Sequence, residues 1–180
     1  MLLKIRVADI TDKEKLLSGE EALSFFPTLV QAQSDGECEF LSPVSISLSV
    51  VREYDHIRVH GNVGTDVKLT CSRCLGEFTG PLASVFTIFY TRSDDVQPED
   101  EVELGEEDLI SVTYNADEID FTGEIAEQIL LGLPYKSLCS DDCKGLCFTC
   151  GADLNSTSCN CSEKKVSMEF SPLKGFKVKQ

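Results

Sequence analysis

Six cysteines fall within 23 positions late in this chain: Cys139, Cys143, Cys147, Cys150, Cys159 and Cys161. A further pair stands far upstream in Cys71-Ser72-Arg73-Cys74. Eight of the nine cysteines occupy pair-like spacings, and Cys38 stands alone as a small apolar residue. Between Cys139 and Cys161 the larger apolar residues are Leu146, Phe148 and Leu154, too few to fold that stretch by burial. Cross-links must replace the missing core, and clustered thiols offer two kinds: disulfides or a bound metal.

Compartment decides between them. The N-terminus, MLLKIRVADITDKEK, carries Lys4, Arg6 and Asp9 where a secretory leader would be apolar. No stretch is apolar enough to span a bilayer. These features point to a reduced, cytoplasmic protein, where paired thiols bind metal more often than one another. Cys147-Phe148-Thr149-Cys150-Gly151 and Cys71-Ser72-Arg73-Cys74-Leu75-Gly76 both have the turn in which two thiolates face one cation. Two thiolates do not close a tetrahedral shell, so Cys71 and Cys74 need two more ligands. The division that uses every paired cysteine puts Cys71, Cys74, Cys139 and Cys143 in one site, pinning module to body. Cys147, Cys150, Cys159 and Cys161 then form the second. A single site from Cys71, Cys74, Cys147 and Cys150 is the competing division. Zinc is the expected ion, as one or two structural ions; an iron–sulfur cluster uses the same ligands. Arg73, Lys136 and Lys144 lie near the thiols in sequence and could offset the negative charge of such a centre.

The remaining chain reads as a β-rich body. Val44, Ile46, Leu48 and Val50 alternate with Ser45, Ser47 and Ser49, a strand with one wet face. Residues 2–8 suggest a strand, and Thr11 and Asp12 suggest the cap of a short helix over 12–17. Residues 18–36 look irregular, broken by Gly19, Pro27 and Gly36. Ile57 and Val59 begin a second strand that Gly61-Asn62 and Gly64 interrupt, Val67 and Leu69 form a third, and 82–91 is a nearly continuous apolar strand. The spacing predicts an antiparallel meander with the first cysteine pair in a hairpin turn. Thr122 is the expected N-cap of a helix over about 123–131, packed through Ile125 and Ile129. The fold class is thus α+β: an antiparallel β-rich body over 1–135 with one packed helix, and a small zinc-stapled cysteine module over 136–165. A basic tail occupies 166–180.

Net charge is −15, and its distribution is uneven. From Asp94 to Glu127 there are 14 acidic residues and no basic one. Such a segment, with its acidic loop at 93–108, repels phosphate backbones and attracts basic surfaces. No nucleophile elbow, dinucleotide fingerprint or phosphate-binding loop is present. His56 and His60 would face the same way on a strand, and they read as surface residues. An enzyme is therefore not expected.

The run from Leu138 to Asn155, LCSDDCKGLCFTCGADLN, resembles the C-terminal signature of the YceD-like family, the large ribosomal RNA subunit accumulation proteins. Cys159-Asn160-Cys161, Ser171-Pro172-Leu173, the upstream Cys71-Ser72-Arg73-Cys74 and Ile119-Asp120-Phe121 before a helix ending Leu133-Pro134 fit the same pattern. Phe148 and Ser171 depart from it without touching a thiol. The resemblance implies a bacterial or plastid accessory factor for large-subunit ribosomal RNA accumulation and ribosome assembly, with no known catalysis. Its expected partner is a basic ribosomal or RNA-processing protein met by the acidic segment, or ribosomal RNA met by the C-terminal module. No membrane or small-molecule substrate is expected. The alternative is a metal-dependent redox or thiol-exchange protein.

Overall fold

A computed structural model of the chain describes residues 3–93 and 111–161. The acidic loop after Ser93 and the basic tail at 166–180 lie outside the described residues. The elements are β1 (Lys4–Arg6), β2 (Lys15–Glu21), α1 (Pro27–Ser34), β3 (Glu39–Phe40), β4 (Val44–Glu53), β5 (His56–Thr70), β6 (Glu77–Arg92), β7 (Ser111–Tyr114), β8 (Glu118–Asp120) and α2 (Thr122–Leu131). One sheet runs β2-β4-β5-β6-β7, with β3 paired to β5. A separate two-stranded ribbon joins β1 to β8.

Burial alternates strictly along β4 and β5, with Val44, Ile46, Leu48, Val50, Ile57, Val59, Val63 and Val67 inside. That is the period-2 pattern of a sheet with one solvated face. The apolar face is covered by α1, through Leu29, and by α2, through Ile125, Ala126 and Ile129. Phe26 and Phe121, which precede the two helices, are fully buried, and Tyr90 meets Phe121 edge-on at 5.8 Å. Arg52 ties the N-terminal segment to this core by donating to the carbonyls of Val7 and Ile10.

Several expectations change. Among its described residues the body has two α-helices rather than one, and its sheet is mixed, because β7 runs parallel to β6. Residues 15–21 are a strand, not the end of a helix: they pair with β4 from Lys15↔Val50 to Glu21↔Val44. The irregular stretch 18–36 contains α1, and Pro27 opens it, since proline at a first helical position loses no hydrogen bond. The two short strands at 57–69 are one strand, β5, paired with β6 over its full length. Gly61 does not break it. It faces Phe86, whose ring would lie 2.3 Å from any added Cβ, so glycine makes room for the aromatic across the pair. Thr122 is the first residue of α2 rather than its cap. Asp120 takes its backbone N–H at 3.0 Å and its hydroxyl, while Lys4 sits 3.1 Å from the same carboxylate. The helix entry is thus fixed by an acidic residue of the ribbon.

Candidate metal centre

β5 and β6 form a long hairpin, and Cys71–Gly76 is its turn. The backbone N–H of Leu75 donates to the Cys71 carbonyl at 2.9 Å, and that of Cys71 to the Gly76 carbonyl at 2.9 Å. Residues 147–152 repeat this. Gly151 donates to the Cys147 carbonyl at 2.8 Å and Cys147 to the Ala152 carbonyl at 2.8 Å. The fifth residue of each turn is left-handed, with φ 60° at Leu75 and 72° at Gly151. Both turns bring two thiols to one side and point backbone N–H groups at the first sulfur.

The eight paired cysteines gather into two groups of four. Cys71, Cys74, Cys139 and Cys143 form cluster one; Cys147, Cys150, Cys159 and Cys161 form cluster two. The competing set of Cys71, Cys74, Cys147 and Cys150 is not brought together. Within each cluster all sulfurs lie within 4.8 Å of one another. Cys71 Sγ is 3.7 Å from Cys143 Sγ, and Cys74 Sγ is 3.7 Å from Cys139 Sγ. Tetrahedral thiolates at ~2.3 Å from an ion stand ~3.8 Å apart, so the donor set fits one such ion per cluster. All nine cysteines are free. Cys38 is buried away from both groups, and burial raises its thiol above the usual range.

Cluster one joins body to module. Ser72 N–H donates to the Ser137 carbonyl at 2.8 Å, and Leu146 N–H to the Arg73 carbonyl at 3.0 Å. The Arg73 guanidinium donates to the carbonyls of Asp141 and Cys143 at 2.9 and 2.8 Å, so it clamps the module by its backbone. Gly145 has φ 74°, and a Cβ there would sit 2.9 Å from the Arg73 carbonyl oxygen. Cys71 and Cys143 are buried, whereas Cys139 is exposed. In cluster two only Cys147 is buried.

Electrostatics split each group. Hydrogen bonds from the backbone at Cys139 and Cys74 hold Cys71 down to about 6, and those from Cys150 and Thr149 hold Cys147 down to about 6. Hydrogen bonding to Cys143, with loss of hydration among the crowded thiols, pushes Cys139 up to about 12. Hydrogen bonding to Cys150, again with loss of hydration, does the same to Cys161. Four crowded thiols cannot all ionise against one another, and a divalent cation removes that obstacle. His56 and His60 stay outside these groups: His56 lies beside Glu53 and Asp55, and His60 Nδ1 pairs with the Thr87 hydroxyl at 3.1 Å. Composition and spacing had singled out the thiols but not Asn155, Gly145 or the positive φ of Leu75. Only the second turn's Gly151, in the place of Leu75, hinted at the last.

The model of the large ribosomal RNA subunit accumulation protein YceD family matches residues 59–177. A chloroplast protein of Arabidopsis thaliana, large ribosomal RNA subunit accumulation protein YCED homolog 1, is 29% identical over 154 residues, 73% of this chain and 48% of its own length. Its namesake in Zea mays is 30% identical over 158 residues, covering 74% and 53%. An uncharacterised Mycobacterium tuberculosis protein is 28% identical over 113 residues, covering 63% and 52%. The chain spans about half the length of these curated relatives. No solved structure matches it. Among the described residues no helix is long and apolar enough to cross a membrane. The matched region takes in nearly all of the long hairpin, strand β8 of the ribbon, α2 and all eight clustered cysteines, and the chain belongs to the YceD family of large ribosomal RNA subunit accumulation proteins.

Proposed function

We propose that the chain is a non-catalytic accessory factor in large-subunit ribosomal RNA accumulation, held together by two structural zinc ions and working in a reducing compartment. The observation that carries the metal reading is the pair of four-thiol groups, each with its sulfurs within 4.8 Å of one another. Cys71, Cys74, Cys139 and Cys143 would hold one ion, and Cys147, Cys150, Cys159 and Cys161 the other. Zinc bound by four thiolates has a closed shell, so it supplies a cross-link and no position for substrate. Family membership supports the role in ribosomal RNA accumulation.

Charge favours a basic protein as the direct partner, with the acidic segment as the docking surface. Of its 14 acidic residues, Asp120 is already committed to Lys4 and α2. The docking role therefore falls mainly to residues before Ser111. Direct RNA contact would rest on the C-terminal module and tail, against a net charge of −15. A tagged pulldown from lysate, with and without RNase, separates these. A basic ribosomal or processing protein that survives RNase and dissociates as salt rises supports the protein route. Ribosomal RNA lost on RNase treatment turns attention to the module.

Thiol exchange is the second reading, favoured by Cys71 and Cys147 sitting at about 6. Alkylation of the metal-loaded protein decides. Protection of all eight clustered cysteines supports structural zinc, and rapid modification of Cys71 or Cys147 supports exchange.

A further inference from the structure

Asn155 lies in the loop between the two halves of cluster two, yet its side chain reaches cluster one. Its Nδ2 donates to Cys143 Sγ at 3.4 Å, and its Oδ1 accepts from the Lys144 backbone N–H at 2.7 Å. Asp153 fixes the amide: its Oδ1 accepts from the Asn155 backbone N–H at 3.0 Å and from Nδ2 at 2.9 Å. Asp153 is itself held by a β-bridge to Leu146. Among the described residues this is the one side-chain N–H that donates to a cysteine sulfur.

We propose that Asn155 is a positioning residue for cluster one, and that through it the two clusters hold their metals cooperatively. The inference rests on the metal reading above. An N–H aimed at a thiolate draws off charge from a four-thiolate site whose ion leaves it net negative, and it fixes the sulfur's orientation. The loop that carries this amide is anchored at both ends by cluster two, through Cys150 and Cys159. Emptying cluster two frees the loop and withdraws the hydrogen bond from Cys143. Linkage makes the coupling reciprocal.

The test uses the full chain loaded with cadmium-113 and observed by cadmium NMR, alongside metal removal by a chelator. Cys71→Ser and Cys161→Ser, each depleting one cluster, assign the resonances. Asn155→Asp keeps an oxygen for the Lys144 N–H but replaces the donor to sulfur with a second anion. It should move the cluster-one resonance, leave the other in place, and speed cadmium loss from cluster one by about tenfold or more. Asn155→Ala should do the same. Cys161→Ser should also speed loss from cluster one, and should add little once Asn155 is Asp. The proposal falls if Asn155→Asp behaves as wild type while Asn155→Ala does not, because Asn155 would then serve only Lys144. It falls equally if both resonances move together. A wild-type chain with no cadmium in thiolate sites overturns the metal reading itself.

Discussion

Leu75 and Gly151 hold the same place in two equivalent turns, and only one of them is a glycine. A left-handed backbone costs a residue with a Cβ about 1–2 kcal/mol, and Leu75 is 65% exposed, so its side chain recovers little by burial. Leu75→Gly should raise the melting temperature or leave it unchanged, because glycine's greater freedom in the unfolded chain offsets part of the relieved strain. A clear fall would show that the leucine makes a contact worth more than the strain. Gly145 is the opposite case. It combines φ 74° with an Arg73 carbonyl 2.9 Å from the site of a Cβ, so Gly145→Ala should push the module off the hairpin turn. The expected loss is about 1–3 kcal/mol in chemical denaturation, with faster metal release from cluster one than from cluster two. Gly61→Ala, set against the Phe86 ring, should cost a similar amount without touching metal retention.

The hairpin β5–β6 is the element on which the site depends, and its tip is fixed to the module by Arg73 as well as by thiols. Arg73→Ala should increase proteolysis near 136–146 while the bound metal content stays that of the wild type. Cys71→Ser should do both: loosen the module and remove one ion. Unchanged proteolysis in Cys71→Ser would sink the view that cluster one joins the parts, and unchanged proteolysis in Arg73→Ala would mean that the thiols hold the module without the guanidinium. Elements whose signal is purely local could be read in the chain itself. The Val-Ser-Ile-Ser-Leu-Ser alternation of β4 needs no partner to be recognised, and neither does the Cys-x-x-Cys turn. Elements defined by what they pair with could not. Lys15–Glu21 has an exposed, weakly patterned sequence and becomes a strand because β4 offers seven residues of edge. Gly61 resembles a strand break until Phe86 appears opposite it. Asn155 has no local signature of its task, since its sulfur partner is 12 residues away and belongs to the other cluster.

The whole molecule joins a core that folds by burial to a module that does not. Stripping metal with a chelator should therefore leave the β-sheet signal in circular dichroism and abolish amide protection across 139–161, as hydrogen exchange would record. Loss of the sheet signal as well would mean that the module supports the body. Acid should act in the same direction. Metal ligation needs thiolates, which places the loaded-state pKa of each ligand below the ordinary thiol range. The stabilisation is then present at alkaline pH and lost as pH falls. Cys71 and Cys147 are held at about 6 even without a cation, and a bound cation takes them lower still. Metal release followed against pH should therefore be complete only below about 6. Cluster one also imposes an order in time. Cys71 and Cys143 are 72 residues apart, and Cys74 and Cys139 are 65 apart. During synthesis from the N-terminus the hairpin can zip, and half the site can take shape, well before Cys139 exists. The newborn chain thus presents an exposed pair of reactive thiols on a finished turn, and the interval until its partners emerge is when the protein is most open to oxidation or to the wrong metal.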